Sequence, residues 1–129
     1  MDFDTIGKAG SRMGTGLIMV VDDGQDLIKV QKNLQIFFAR ESCGFCTPCR
    51  DGLPWAVKMI DSIEKGEGTS GDILQLKRLT KDLWIGKTFC AHAPGAMEPL
   101  QSMFKYFEDE VVQRLPKDEQ DKLKALEAN

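Results

Sequence analysis

Residues 41–50 read ESCGFCTPCR, in which Cys43, Cys46 and Cys49 are separated from one another by two residues. Two intervening residues let neighbouring thiolates turn inward on one tight loop, and three such thiolates can hold three corners of an iron-sulfur cube. The fourth corner needs a remote ligand, and Cys90, far downstream, is the remaining cysteine of the chain. The spacing therefore predicts one [4Fe-4S] cluster held by these four cysteines.

Two other uses of the cysteines stay open. Structural zinc sites are built from four cysteines, or from three cysteines and a histidine, and Cys90-Ala91-His92 offers a thiolate or an imidazole. Zinc ligands usually come as two separate pairs, which a triple run with one distant partner matches poorly. Disulfides would need an oxidising compartment, for which the sequence shows no signal peptide. The alternative function is therefore a structural zinc-binding interaction module, in which the metal only supports folding.

Composition favours a single globular domain. Of the 129 residues, 29% are charged and 42% hydrophobic, with a net charge of -3. This balance is ordinary for a soluble domain and carries no basic footprint for nucleic acid. The longest apolar run, at 17–21, is far shorter than the roughly 20 residues that a membrane helix needs. We therefore expect no nucleic-acid partner and no direct membrane insertion.

Apolar residues recur at three- and four-residue steps through most of the chain, which predicts four amphipathic helices. Cap residues precede the first and third, and Gly66, Gly86 and Pro116 follow the last three. Helices that bury one face against each other form a bundle. The predicted fold is mostly α: a four-helix bundle with the cysteines in its interhelical loops. The helices are expected at 25–40, from about 48 to Gly66, from the caps at 69–72 to Gly86, and at about 96–115.

The same periodicity predicts which side chains face the core. Pro54 falls in the first turns of the second helix and is expected to bend it or delay its start. The predicted inward residues are Leu27, Val30, Leu34, Phe37 and Phe38 in the first helix, Trp55, Met59, Ile60 and Ile63 in the second, Ile73, Leu76, Leu79 and Leu83 in the third, and Leu100, Met103, Phe104, Phe107 and Val111 in the last.

Several residues near the cysteines have both a functional and an ordinary interpretation. Arg50 and Lys87 would offset the negative charge of a four-thiolate cluster, or would simply be solvated surface charges. His92 would tune a potential, but a hydrogen-bonded loop histidine is the commoner case. Gly44 and Gly95 would let backbone approach the cluster closely.

The two ends of the chain fall outside the predicted bundle. Leu17 to Val21 reads as a β-strand after the turn Gly14-Thr15-Gly16, and no convincing second strand pairs with it. Since a sheet generally needs three or more strands, its partners are expected in upstream sequence or another chain. The stretch from 117 to 129 is charged and predicts a short frayed helix or a tail. The expected division is 1–22, 23–116 and 117–129.

Three segments, in order, resemble the NADH-binding flavoprotein subunit of respiratory complex I, known in bacteria as the F subunit. They are MGTGLIMVVDD at 13–23, ESCGFCTPCRDG at 41–52 and TFCAHAPGAMEPLQS at 88–102. The resemblance runs from Asp2 to about Leu115. It implies that Cys43, Cys46, Cys49 and Cys90 hold a [4Fe-4S] cluster in a C-terminal helical bundle, and that residues before Asp22 end a β-grasp-like domain.

The resemblance also implies a function, which is electron transfer within NADH:quinone oxidoreductase. Such a cluster accepts electrons from FMN after NADH oxidation and passes them toward quinone. The implied partners are the NADH- and FMN-binding portion of the same subunit, a small [2Fe-2S] subunit and a large multi-cluster subunit. The implied location is cytoplasmic, peripheral at the inner face of the bacterial plasma membrane through partner subunits.

The sequence departs from the family in one respect. No glycine-rich phosphate cradle that opens a helix precedes Cys43, so this chain alone is expected neither to bind NADH or FMN nor to turn over. Flavoprotein subunits of NAD-linked hydrogenases and formate dehydrogenases look similar through this region and remain alternatives. An apo fragment, whose bundle closes without metal, is a further one.

Overall fold

The computed structural model describes residues 2–128, and their regular structure is helical apart from an isolated bridge between Ile85 and Thr88. Four helices of 13 to 18 residues make the body of the fold, with a short helix before them and two after them. The mostly α prediction is confirmed. The helices are α1 (Phe3–Lys8), α2 (Leu27–Arg40), α3 (Thr47–Glu64), α4 (Ser70–Asp82), α5 (His92–Tyr106), α6 (Glu108–Val112) and α7 (Lys117–Glu127).

The four long helices pack as a closed ring, since α2 contacts α3 and α5, and α4 contacts the same two helices. Burying one stripe of each helix in a common core is what stabilises such a bundle, because isolated helices of this length are marginal in water. The inward residues predicted for α4 are all buried, as are most of those for α3 and α5. Fully buried large side chains include Leu53, Ile60, Ile63, Ile73, Leu76, Leu83, Met97 and Leu100.

The predicted inward face of α2 was wrong in part: Leu27 and Phe38 pack against the core, but neither lies on the most buried face of the helix. Its buried residues are Ile28, Gln31 and Gln35, whereas Phe37 is exposed and Leu34 only half-buried. Gln35 is fully buried on this face, and its Nε2 donates to the Ala96 carbonyl on α5 at 2.6 Å. A hydrogen bond of this kind makes burial of a polar side chain tolerable, and periodicity of apolar residues does not reveal it.

The expected delay at Pro54 and the predicted start of the last long helix also differ from the structure, whereas α3 begins close to the predicted residue 48. Pro54 does not delay α3, which begins at Thr47 and continues through the proline. Helix α5 begins at His92, before the predicted residue 96, because Pro94 lies in its first turn, where a missing N–H has no partner to lose. Helix α5 ends at Tyr106, and a break at Phe107 separates it from α6.

The β-strand predicted at Leu17–Val21 does not form in the structure, and these five side chains are exposed. A strand needs a neighbour for its backbone groups, and residues 2–128 supply none. At the other end, α7 packs on α4 and buries Leu123, so this charged segment is a docked helix. None of the helices described is long and apolar enough to cross a membrane.

Candidate iron-sulfur site

The four cysteines line one cavity of about 120 Å³ at one end of the bundle. Their burial differs: Cys49 is 7% exposed, Cys46 is half-buried, and Cys43 and Cys90 are exposed. The structure thus brings the distant Cys90 to the triple run, as the sequence predicts. Glu41, Thr88, His92 and Ala93 complete the lining.

The first ligand segment, residues 42–49, runs directly into α3. Cys46 is the N-cap of α3, and Cys49 lies in its first turn. Gly44 has φ +76°, a left-handed conformation that favours glycine, and this turns the loop between Cys43 and Cys46. Arg50 Nη1 donates to the Gly44 carbonyl at 3.2 Å, which fastens the loop to α3. Three cysteines are therefore held largely by local structure.

The second ligand segment, residues 85–92, connects α4 to α5 and depends on tertiary packing. Leu83, at the end of α4, is buried against α3: a Cβ placed on Gly52 would lie 3.1 Å from its Cδ1. The Thr88 hydroxyl donates to the Cys90 carbonyl at 3.0 Å. The position of Cys90 thus follows from where α4 ends and α5 begins.

An aromatic pair joins the two ligand segments at the surface. The rings of Phe45 and Phe89 meet edge to face with centroids 5.3 Å apart. Both side chains are mostly exposed. Edge-to-face contact between aromatic rings is favourable beyond the area it buries, so the pair links the loop of Cys46 with the loop of Cys90.

Two hydrogen bonds reach cysteine sulfur atoms. Ser42 Oγ lies 3.2 Å from Cys49 Sγ, and the Phe89 backbone N–H donates to Cys46 Sγ at 3.4 Å. Donors of this kind stabilise thiolates and are one of the means by which a protein tunes an iron-sulfur cluster. Ser42 and Phe89 were not among the residues predicted from the sequence, where adjacency to a cysteine is the one signal that points to them.

Burial raises the pKa of the Cys49 thiol, and the neighbouring thiols Cys46, Cys90 and Cys43 raise it further, while the Ser42 hydrogen bond opposes them. A metal that binds here must displace a proton from Cys49, because the thiolate is the ligand. The N-termini of α3 and α5 lie beside the cysteines, and their partial positive charge favours anionic sulfur.

The donor set fits a [4Fe-4S] cluster, which takes one thiolate at each of four irons. The fit rests on four thiols around one cavity at two helix N-termini, with the bundle core behind Cys49. Within residues 2–128, no group of three or more histidine, cysteine, aspartate or glutamate side chains is placed to hold a single metal ion.

The other residues singled out in the sequence have varied positions. His92 lines the cavity, and its Nε2 hydrogen-bonds the Phe38 carbonyl at 2.8 Å, as in the ordinary interpretation of that histidine. Lys87 is exposed. Gly95 lies beside Arg12 and Phe38, since a Cβ there would be 3.6 Å from Arg12 Nη2 and 3.9 Å from a ring carbon of Phe38.

Comparison with known proteins identifies relatives with high sequence identity to this chain. The chain is 61% identical over 110 residues to the F subunit of NADH-quinone oxidoreductase from Escherichia coli strain K12, a match that covers 85% of this chain and 25% of that protein. It is 46% identical over 112 residues to the F 2 subunit of NADH-quinone oxidoreductase from Rhizobium meliloti strain 1021, covering 87% of this chain and 26% of that protein. The chain thus spans about a quarter of the length of these relatives.

A solved structure shares the fold. A chain of an NAD+-reducing [NiFe]-hydrogenase in the H2-reduced state matches with a TM-score of 0.71 and 29% identity, over 77% of this chain and 17% of that one. The family model described as the NADH-ubiquinone oxidoreductase-F iron-sulfur binding region matches residues 29–114, which include all four cysteines. The chain therefore belongs to the family of NADH-ubiquinone oxidoreductase-F iron-sulfur binding regions.

Proposed function

We propose that Cys43, Cys46, Cys49 and Cys90 hold one [4Fe-4S] cluster and that the chain relays single electrons through it. The observation that carries the proposal is the convergence of the four thiols on one cavity, although Cys90 lies 41 residues beyond Cys49 in sequence. When bound, the cluster supplies one-electron chemistry. The chain's own residues bind it, orient it and limit the access of water.

The chemistry of the surrounding groups supports this role. Cys49 is buried against the apolar core, which keeps one side of the site dry. Ser42 and the Phe89 amide lie within hydrogen-bond distance of two sulfur atoms. Cys43 and Cys90 are exposed, so one side of the site lies at the surface. Exposure on one side and burial on the other suit a centre that exchanges electrons with a partner while its potential is set from within.

The parent enzyme is proposed to be NADH:quinone oxidoreductase. In this proposal, NADH oxidation and FMN belong to the preceding portion of the same subunit, and this chain alone does not turn over. Electrons then pass to further iron-sulfur clusters toward quinone. The proposed partners are that preceding portion, a small [2Fe-2S] subunit and a large multi-cluster peripheral-arm subunit. Through them the chain would lie at the inner, cytoplasmic face of the bacterial plasma membrane.

A second candidate for the parent enzyme is an NAD-linked hydrogenase. One specific observation favours it, the structural match to an NAD+-reducing [NiFe]-hydrogenase. The same relay would serve that enzyme. Sequence identity favours NADH:quinone oxidoreductase as the parent enzyme, since the identity is 61% with the Escherichia coli protein and 29% with the hydrogenase chain.

The proposed division of the chain is 1–22 as the tail of a preceding β-grasp-like domain, 23–116 as the iron-sulfur domain and 117–129 as a C-terminal segment. The exposed apolar residues at 17–21 support the first boundary, because unpaired backbone and bare apolar side chains suit a segment completed by another part of the protein. Helix α7 remains attached to the domain through Leu123 and through Glu119, which accepts from Ser70.

Metal and sulfide analysis of the anaerobically purified chain tests the proposal, together with visible and electron paramagnetic resonance spectra before and after dithionite. We expect about four irons and about four sulfides per chain, and a signal from one reduced cubane. One zinc without sulfide, persisting after reconstitution with iron and sulfide, would overturn the proposal and leave the zinc module. Oxidation of NADH by the isolated chain would contradict the assignment of flavin chemistry to another portion.

A further inference from the structure

The hydroxyl of Ser42 occupies a particular place among the groups around the cysteines. Its oxygen lies 3.2 Å from Cys49 Sγ and accepts the Gly44 backbone N–H at 3.3 Å. A hydroxyl has one hydrogen to donate, and the amide uses a lone pair of the oxygen. The hydroxyl hydrogen is therefore free to point at the sulfur. Because a metal-bound cysteine is a thiolate without a proton, Ser42 must be the donor when Cys49 is a ligand.

We infer that Ser42 is a positioning residue that raises the reduction potential of the cluster by donating its hydroxyl hydrogen to Cys49 Sγ. The inference rests on the proposed function. Each electron added makes a cluster of four thiolates more negative, so a donor to sulfur stabilises the reduced form more than the oxidised form. Removing the donor therefore makes the cluster harder to reduce.

Because Cys49 is buried, the hydrogen bond from Ser42 to its sulfur is expected to be stronger than a hydrogen bond to a sulfur at the surface. Cys49 is 7% exposed, while Cys43 and Cys90 are exposed. A hydrogen bond in a region of low dielectric is electrostatically stronger than one in water, and water cannot readily replace its donor there. The Gly44 amide polarises the hydroxyl further, because hydrogen bonds in a chain strengthen one another.

A structural role for Ser42 has a different requirement. The contact to the Gly44 amide is a serine turn of the kind that stabilises a loop, and it needs only an oxygen that accepts. Setting the potential needs the hydroxyl hydrogen at the sulfur. Iron content and helix content report the first role, and the reduction potential reports the second.

The experiment compares the wild-type chain with Ser42→Ala, Ser42→Thr and the control Ser62→Ala, which lies far from the cysteines in the second half of α3. Each is reconstituted with iron and sulfide, and the reduced signal is followed in a redox titration with dithionite, which supplies one electron per cluster. At a fixed potential we expect Ser42→Ala to lower the ratio of reduced to oxidised cluster about tenfold, or ~59 mV for a one-electron couple. Ser42→Thr and Ser62→Ala are expected to match the wild type.

Equal potentials for the wild type and Ser42→Ala, each with a full cluster, would overturn the inference. If Ser42→Ala does not retain iron, Ser42→Val and Ser42→Thr repeat the comparison at nearly constant side-chain volume, and a lower potential for the valine variant supports the inference. Loss of iron from both variants that lack the hydroxyl, with normal helix content, would overturn it in favour of a purely structural role.

The wild-type chain separates this test from the test of the proposed function. A wild type without iron and sulfide after reconstitution refutes the cluster itself. A wild type with the cluster and a potential independent of the Ser42 hydroxyl refutes only the role of Ser42.

Discussion

The two segments that bring the cysteines together are held in different ways. Residues 42–49 lead into α3, and Gly44, Arg50 and the first turn of the helix fix their path. Residues 85–92 connect two helices, and their position depends on how α4 and α5 pack against the rest of the bundle. Burial follows this difference only in part, since Cys49 of the first segment is buried, while Cys43 of the same segment and Cys90 are both exposed.

This contrast separates two ways of building one site. Three of the four proposed ligands lie in a local motif that a short sequence can specify, and the fourth, Cys90, is brought to them by the tertiary fold. The first segment should therefore keep its arrangement when the bundle is weakened, whereas the second should lose it. Substitutions that alter one segment, or the contact between them, measure how far the other depends on it.

Removing single cysteines of the proposed ligand set should give the largest effect. We expect Cys49→Ala to lose nearly all iron, because it breaks the local triple and takes away its buried member. Cys90→Ala leaves three thiolates on one loop, which can hold up to about three irons per chain. Iron and sulfide analysis of the reconstituted variants measures the difference, with circular dichroism to check helix content. Equal iron in the two variants would mean that the segments contribute alike.

Substitution of Leu83 should give the next largest effect. This side chain packs the end of α4 onto α3 and so joins the two segments. Leu83→Ala is expected to lower the free energy of unfolding of the metal-free chain by about 2–5 kcal/mol, the usual cost of removing a buried leucine side chain. Denaturant unfolding followed by circular dichroism measures it. The control, Leu126→Ala, changes a mostly exposed leucine of α7 and should shift stability by less than about 0.5 kcal/mol.

Glu119 gives a pH-dependent test of how α7 supports α4. Its pKa is lowered to about 2 by hydrogen bonds from Lys122 and from the backbone and side chain of Ser70. A lowered folded-state pKa means that the contribution to stability is present above the ordinary carboxyl pKa and is lost as pH falls toward 2.

We therefore expect the wild type to be more stable than Glu119→Gln at pH 6, and the difference to shrink between about pH 4.5 and pH 2. Urea unfolding at several pH values measures it. A difference that stays constant across this range would show that the charge of Glu119 does not matter. The expected effect is smaller than that of Leu83, because the contacts lie near solvent and are screened.

The smallest expected effect concerns the Phe45 and Phe89 pair, the surface contact between the two ligand segments. A double-mutant cycle with alanine at each position should give a coupling free energy of about 0.5 kcal/mol, the low end for aromatic pairs, because both rings are mostly exposed. Unfolding of the four chains of the cycle measures it. A coupling of zero would mean that the aromatic contact does not help to position the Cys90 segment.

The sequence was informative where the physical cause is local. The C-x2-C-x2-C run predicts three convergent thiols, and Gly66, with φ +77°, follows the end of α3 as a helix-stopping glycine does. Counting cysteines identified Cys90 as the candidate for the fourth place. The three- and four-residue steps of apolar residues in α4 also predicted its buried face, since Ile73, Leu76, Leu79 and Leu83 are all buried.

The sequence did not predict the features that depend on a contact with another part of the chain. The buried face of α2 includes Gln35, whose hydrogen bond to the Ala96 carbonyl cannot be read from the periodicity of apolar residues. The contact between Ser42 and Cys49 depends on the turn at Gly44. The strand expected at residues 17–21 lacks a neighbour within the described residues, and intrinsic preference alone does not make a sheet.

The exposed run at 17–21 has a practical consequence for work with this chain. Five consecutive apolar residues without a charge, and with unpaired backbone, can pair edge to edge with the same run of another copy. Concentrated samples should then form assemblies whose size depends on protein concentration and whose contacts are unrelated to electron transfer. Light scattering on a dilution series would reveal them, and Ile18→Lys should suppress them while leaving the bundle intact.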